Sequence, residues 1–262
     1  MSRHFHGTPV WGGAGKVLKV AIRDSGAFVS YARPDQIKQC FTYANSVGLD
    51  CGAFSAWKRG LVIDWTKYYQ FLSAWYGHDK LKFFCIPDVI EGGEEDNDLL
   101  IKQLPTVFRD KAAPVWHLHE SIDRLKRLAS TWERVCLGSS GQYAAIRTKH
   151  WHVRMHEAFV AIRDENPGIH VHGLRMLDGR VFGNYPLTTA DSTNLACNVP
   201  KTEVKYPELT SQLRAIGCNE EEVLAGRCAI LRKTIEMVHP PTFAEYFERY
   251  EAKRSPQMCL EF

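Results

Sequence analysis

Short apolar runs alternate with longer amphipathic stretches along most of the chain, and this alternation restricts the fold more than any other feature. Runs at 27–31, 47–50, 82–88, 114–118, 135–138, 169–173 and 187–191 are brief, rich in β-branched or aromatic residues, and mostly bounded by Gly, Pro or polar residues. That is the signature of buried strands. Helical patterns lie between them. Residues 34–44 open with Pro in the first turn. Residues 64–75 begin with Asp64 as an N-cap and put Tyr68, Leu72 and Trp75 on one face. Residues 121–133 begin with Ser121 as an N-cap, and 151–164 carry Met155, Phe159 and Ile162 at helical spacing. Strands alternating with helices imply parallel strands joined by crossovers. Seven strands and an eighth that the pattern does not reveal would close an α/β (β/α)8 TIM-type barrel, with an open doubly wound sheet as the alternative. The stretch from Pro207 is helix-rich and polar, and no linker precedes it. Residues 1–262 therefore read as one domain, a usual length for such a barrel.

Composition narrows the class. With 45% hydrophobic residues the chain can build a core without disulfide or metal staples, and its aromatic content excludes disorder. No apolar run is long enough for a membrane span. Residues 1–10 are polar and lack an apolar signal region, which points to the cytoplasm. The eight Cys are scattered and read as reduced, buried thiols. A net charge of +3 neither requires nor excludes a nucleic-acid partner, because local clustering decides such binding.

Several apolar runs end in an ionisable residue or a glycine. Asp50 closes one, Asp88 another, His117 a third, and Gly138 with Ser139 a fourth. His172-Gly173 and Asp191 close the last two. In a parallel barrel these ends meet at one face, where active sites form. A carboxylate there is partly desolvated, so its pKa can be tuned for acid, base or nucleophilic work. A single Asp after a strand is commonly a helix N-cap, and a Gly-Ser-Ser-Gly run is commonly a turn. It is the series of such ends that points to a site.

The series resembles a known family. Leu49-Asp50-Cys51-Gly52-Ala53-Phe54-Ser55 resembles the aspartate–small–glycine–small–phenylalanine motif of the tRNA-guanine transglycosylases, and Ala190-Asp191-Ser192-Thr193 resembles their late-strand aspartate segment. His6-Gly7-Thr8-Pro9, Ile86-Pro87-Asp88-Val89 and Pro114-Val115-Trp116-His117 are similar to the DNA-modifying branch, the phage and bacterial DNA-guanine transglycosylases that insert 7-deazaguanine bases into DNA. The resemblance implies a (β/α)8 barrel, DNA and a free 7-deazaguanine such as preQ0 as partners, and no cofactor. It implies Asp191 as the nucleophile at C1′ and Asp50 as the general acid/base. Asp88 would accept from the N–H groups of the base, Phe54 would stack on it, Gly138 and Ser139 would contact it, and His117, His172 and Gly173 would line its pocket. Such a base must be flipped out or single-stranded. A phage enzyme would work in the host cytoplasm. The clustered zinc-binding cysteines of the tRNA enzymes are missing, which makes tRNA a less suitable substrate. The chain is also short for the family, so a homodimer or a partner protein stays open.

Other signals compete. His117/His119 and His170/His172 could, with Asp191, form a metal-dependent hydrolase site. Cys218, Cys228 and His239 are widely spaced for a zinc site. His152 and His156 read as a surface or packed pair, and Gly12–Lys16 as a turn. Lys58 and Arg59 follow the Asp50 loop, and Arg147, Lys149 and Arg154 follow the Gly138 loop, which suits nucleic-acid contact. An RNA-acting transglycosylase and a non-catalytic nucleic-acid-binding barrel complete the alternatives.

Overall fold

The computed structural model describes residues 2–254. Nine parallel strands form one sheet: β1 (His4–Thr8), β2 (Gly26–Ser30), β3 (Ser46–Asp50), β4 (Leu81–Cys85), β5 (Ala112–Ala113), β6 (Val115–His117), β7 (Arg134–Gly138), β8 (His170–Gly173) and β9 (Thr189–Ser192). Their order is β5-β4-β3-β2-β1-β9-β8-β7-β6. The two sheet ends are separated in sequence by Pro114 alone. β5 pairs with β4 and β6 with β7, so the continuous chain closes the cylinder. Pro114 has no N–H to give to a ladder, and the pairing changes sides there. Ile86 N–H donates to Ala113 O at 2.9 Å, and Cys136 N–H donates to Pro114 O at 2.9 Å. The result is a single TIM-type barrel of eight staves, the fifth split by its proline.

The stave missing from the apolar pattern is β1. In His4-Phe5-His6-Gly7-Thr8, Phe5 points into the barrel against Phe28 and Phe83, while His6 points outward. The outward His6 looks polar in the sequence, but its Nε2 lies 3.0 Å from Glu236. Glu236 ends the long helix Glu220–Glu236, which packs over the helix Lys16–Ile22. There Arg232 Nη1 donates to Val20 O at 2.8 Å, and Cys228 Sγ reaches Val17 O. The helix-rich C-terminal stretch thus supplies the layer outside β1.

Strand alternation sorts the apolar residues into two cores. Phe5, Phe28, Phe83, Cys85, Val115 and Cys136 fill the barrel, while Val29, Leu49, Phe84, Trp116 and Leu137 face the helices. Gly48 is part of the inner set because a Cβ there would lie 2.8 Å from the Phe28 ring. The predicted caps form. Asp64 accepts from the N–H groups of Thr66 and Lys67 ahead of Trp65–Ser73, and Ser121 accepts from Arg124 N–H ahead of Ile122–Thr131. The helix expected from residue 34 starts at Ile37, because Pro34 is used in a preceding turn. Gly13–Gly15 is a short 3-10 turn. Of the seven described cysteines, Cys197 is exposed, Cys218 half-buried and the others buried, all as free thiols; Cys259 lies outside the described residues. Among the described residues no helix is long and apolar enough to cross a membrane.

Candidate active site

Every stave contributes to one cavity of about 320 Å³ at the C-terminal mouth of the barrel. That is at the small end of the range for ligand sites, roughly 300–1,000 Å³. It is lined by Gly7 and Thr8 at the end of β1, Phe28 and Ser30 from β2, Asp50, Phe54 and Ser55 from β3 and its loop, and Asp88 and Ile90 after β4. His117 of β6, Gly138, Ser139 and Ser140 of β7 and its loop, Leu174 and Arg175 after β8, and Asp191 of β9 with Thr193 just after it complete the wall. Asp50, Asp88 and Asp191 are therefore neighbours in one chamber.

Asp50 ends β3, and its carboxyl accepts from Ser30 Oγ at 2.8 Å and from Gly52 N–H at 3.1 Å. Gly52 has φ 86°, and a Cβ would meet Ala32 N at 3.0 Å, so the turn that presents its amide calls for glycine. The open side of Asp50 faces the cavity. Desolvation by the protein around it, the Ser30 hydrogen bond acting against this, and the charges of Asp88 and Asp191 together push its pKa up to about 7. At neutral pH this carboxyl exists in both protonation states, as a group that gives and takes a proton should.

Asp88 is 7% exposed and held from two sides. Cys51 Sγ donates to one oxygen at 3.0 Å, and His117 Nε2 lies 2.9 Å from the other. Behind the pair, Glu120 accepts from His117 N–H at 2.8 Å and from Arg124 at 2.6 Å. Asp191 is 4% exposed. Its Oδ1 accepts from Arg175 N–H at 2.8 Å, and its backbone carbonyl accepts from Leu177 N–H at 2.9 Å, which clamps the loop after β8 onto it. Ser139 Oγ accepts from Trp151 Nε1 at 2.9 Å and keeps its own proton to donate. Gly138 is tight against His117, where a Cβ would lie 3.1 Å from Nδ1.

Asp50, Asp88, Asp191, Phe54, Gly138, Ser139 and His117 are all brought together. His172 and Gly173 are not among the lining residues. His172 is fully buried one layer down, among Phe5, Phe28 and Phe83, with Nδ1 on Thr189 Oγ1 at 2.8 Å and Nε2 3.4 Å from Asp191. Burial pushes its pKa down, against the pull of Asp191. Gly173 is packed against Met176 and Leu187. On β8 the last inward side chain, His172, stays below the mouth, whereas Leu174 and Arg175 just beyond the strand reach it.

The basic residues are divided. Lys58, Arg59, Arg147 and Lys149 are exposed outside the cavity. Arg154 is engaged in the structure: it donates to the carbonyls of Leu118 and Glu120, pairs with Glu157, and stacks near Trp116 and Tyr143. It braces a loop, with its guanidinium already engaged.

The histidines that suggested a hydrolase do not converge. His119 links Ser140 to Gly92 O, His170 is exposed at the start of β8, and His117 belongs to Asp88. Cys218, Cys228 and His239 do not form a ligand set either: among the described residues no three His, Cys, Asp or Glu side chains are grouped to hold a metal ion. His152 and His156 bond the Tyr185 and Tyr246 hydroxyls.

Sequence reasoning missed Ser30 and Arg175. Each sits at the end of a strand or just beyond it, and that position was the available signal. No family model matches the chain, and no curated protein matches it.

Proposed function

We propose that the chain is a base-exchange transglycosylase that replaces guanine in DNA with a preQ0-like 7-deazaguanine. The observation that carries this reading is the meeting of Asp50, Asp88 and Asp191 in one cavity, with Asp50 poised near neutrality. Glycosyl exchange needs an anionic nucleophile for a cationic, sugar-like transition state and a separate acid for the leaving group. Asp191, oriented by the Arg175 amide, attacks C1′ of a deoxyguanosine. The C1′–N9 bond breaks, its electron pair goes to the base, and protonated Asp50 gives its proton, so neutral guanine leaves. The sugar stays on the strand as a glycosyl-aspartate. The incoming base loses its N–H proton to the Asp50 carboxylate and attacks C1′, which releases Asp191. Asp88 accepts from the pairing-edge N–H groups of the base, and the Ser139 hydroxyl donates to it. Phe54 supplies a flat apolar wall. DNA is favoured over tRNA because the clustered cysteines of the tRNA enzymes are missing.

The test is nucleoside mass spectrometry of DNA incubated with the protein and 7-deazaguanine bases. Incorporation that is lost in Asp191→Asn supports the reading. Incorporation at the wild-type rate in that variant, or none with the wild type, overturns it. Exchange into RNA alone moves the substrate to RNA.

A further inference from the structure

Arg175 lines the cavity from the loop after β8 and is the one Lys or Arg among the lining residues. Its backbone is unusual. It has φ 58°, in the left-handed region that non-glycine residues seldom occupy. Such a conformation persists when its surroundings over-determine it. Here one conformation serves two contacts: the amide donates to Asp191 Oδ1 at 2.8 Å, and the guanidinium carbon sits 4.0 Å over the Phe54 ring. The side chain is exposed, and among the described residues no carboxylate forms an ion pair with it. The contact with Phe54 holds the guanidinium at the cavity mouth, and its N–H donors make no hydrogen bond among the described residues.

The floor below it carries three carboxyl groups, whose field opposes the approach of a polyanionic strand. A cation held at the mouth offsets that field where the strand must come closest. A planar guanidinium also matches two phosphate oxygens at once. Lys58, Arg59, Arg147 and Lys149 are outside the cavity and are suited to more distant phosphates.

We propose that Arg175 is a phosphate-binding residue that receives the phosphodiester adjoining the nucleotide whose base enters the cavity. The assignment rests on the base-exchange reading for its substrate, although it is measured by binding. It makes Arg175 the residue that couples strand binding to Asp191, since its own amide orients that carboxylate.

The test uses a fluorescent single-stranded oligodeoxynucleotide containing one guanine, titrated with the full-length protein over a salt series. Arg175→Gly keeps the left-handed backbone and the amide while removing the guanidinium. Arg175→Asn, which also tolerates that conformation, is the second charge-removing variant, and Arg175→Lys keeps the charge. Both charge-removing variants should bind the oligonucleotide about tenfold more weakly. The slope of log Kd against log salt should fall by about 0.7, one phosphate contact on a single strand. Arg175→Lys should retain most of the slope. Wild-type affinity and slope in both charge-removing variants overturn the assignment, as does weaker free-base binding with an unchanged slope, which would put the guanidinium on the base. If the slope falls as expected but the wild type exchanges no base, the phosphate site stands and the exchange reading fails. If the wild type exchanges base and the slope does not change, the reverse holds. A wild type that binds no oligonucleotide overturns the phosphate site, whatever exchange assays give.

Discussion

His117 Nε2 lies 2.9 Å from Asp88 Oδ2, so the imidazole ending one stave and the carboxylate following its neighbour form a single buried pair. With Cys51 on its other oxygen, Asp88 is held in place from both sides, ready for the base of the proposed exchange. Loss of a hydrogen bond to a charged group costs about 1.5–3 kcal/mol. His117→Ala should therefore weaken binding of free guanine tenfold or more. Calorimetric titration with the free base checks this, and wild-type base affinity in the variant would remove His117 from that role.

Asp50 sets a pH limit. Its pKa is raised from 3.8 to about 7, so the protonated acid that the proposed exchange needs to expel guanine is depleted above that pH. Formation of the glycosyl-enzyme should slow about tenfold per pH unit above 7, as measured by quenched-flow mass spectrometry. Stability follows the same sign. A carboxyl whose folded pKa lies above its unfolded value stabilises the fold below the unfolded pKa, and this contribution is lost as pH rises from about 4 through about 7. Asp50→Asn should then lose turnover yet melt above the wild type at pH 8, with the gap closing towards pH 4.

Asp191→Asn keeps an oxygen for the Arg175 amide and should fold normally. It lacks the anionic nucleophile of the proposed exchange, so no protein–DNA adduct should form under denaturing electrophoresis. An adduct in this variant would assign the nucleophile elsewhere.

Glu236 fastens the C-terminal helix to the barrel. Burial raises its pKa, but His6, Arg232 and Ser25 outweigh this and hold it down at about 2. A lowered carboxyl stabilises above its unfolded pKa, and the gain is lost as pH falls from about 4.5 to about 2. Glu236→Gln should melt below the wild type at pH 7, and the two should converge near pH 2 in thermal scans monitored by circular dichroism.

Gly48→Ala would force a Cβ to within 2.8 Å of Phe28 and 3.0 Å of Phe83 inside the barrel. Overpacking of this kind costs about 1–3 kcal/mol. Urea denaturation should show a lower midpoint, and an unchanged midpoint would mean that the rings can yield.

The alternation of apolar runs and amphipathic stretches determined the parallel α/β architecture. The placing of Asp50, Asp88, His117, Gly138 and Asp191 at or just beyond run ends marked the residues that share a face, because the chain of a parallel barrel always turns back after the same end of a strand. β1 was hidden because its outward His6 is matched by Glu236 from a distant helix, a pairing that local pattern cannot contain. Tertiary structure decided the rest. It put His172 beneath the mouth, tied Arg154 into a loop, set Arg175 over Phe54, and desolvated Asp50 beside the other two aspartates, which raises its pKa. The sequence carries residue types and their local period. Proton affinity and reach depend on distances between segments far apart in the chain, and those distances exist only once the barrel has closed.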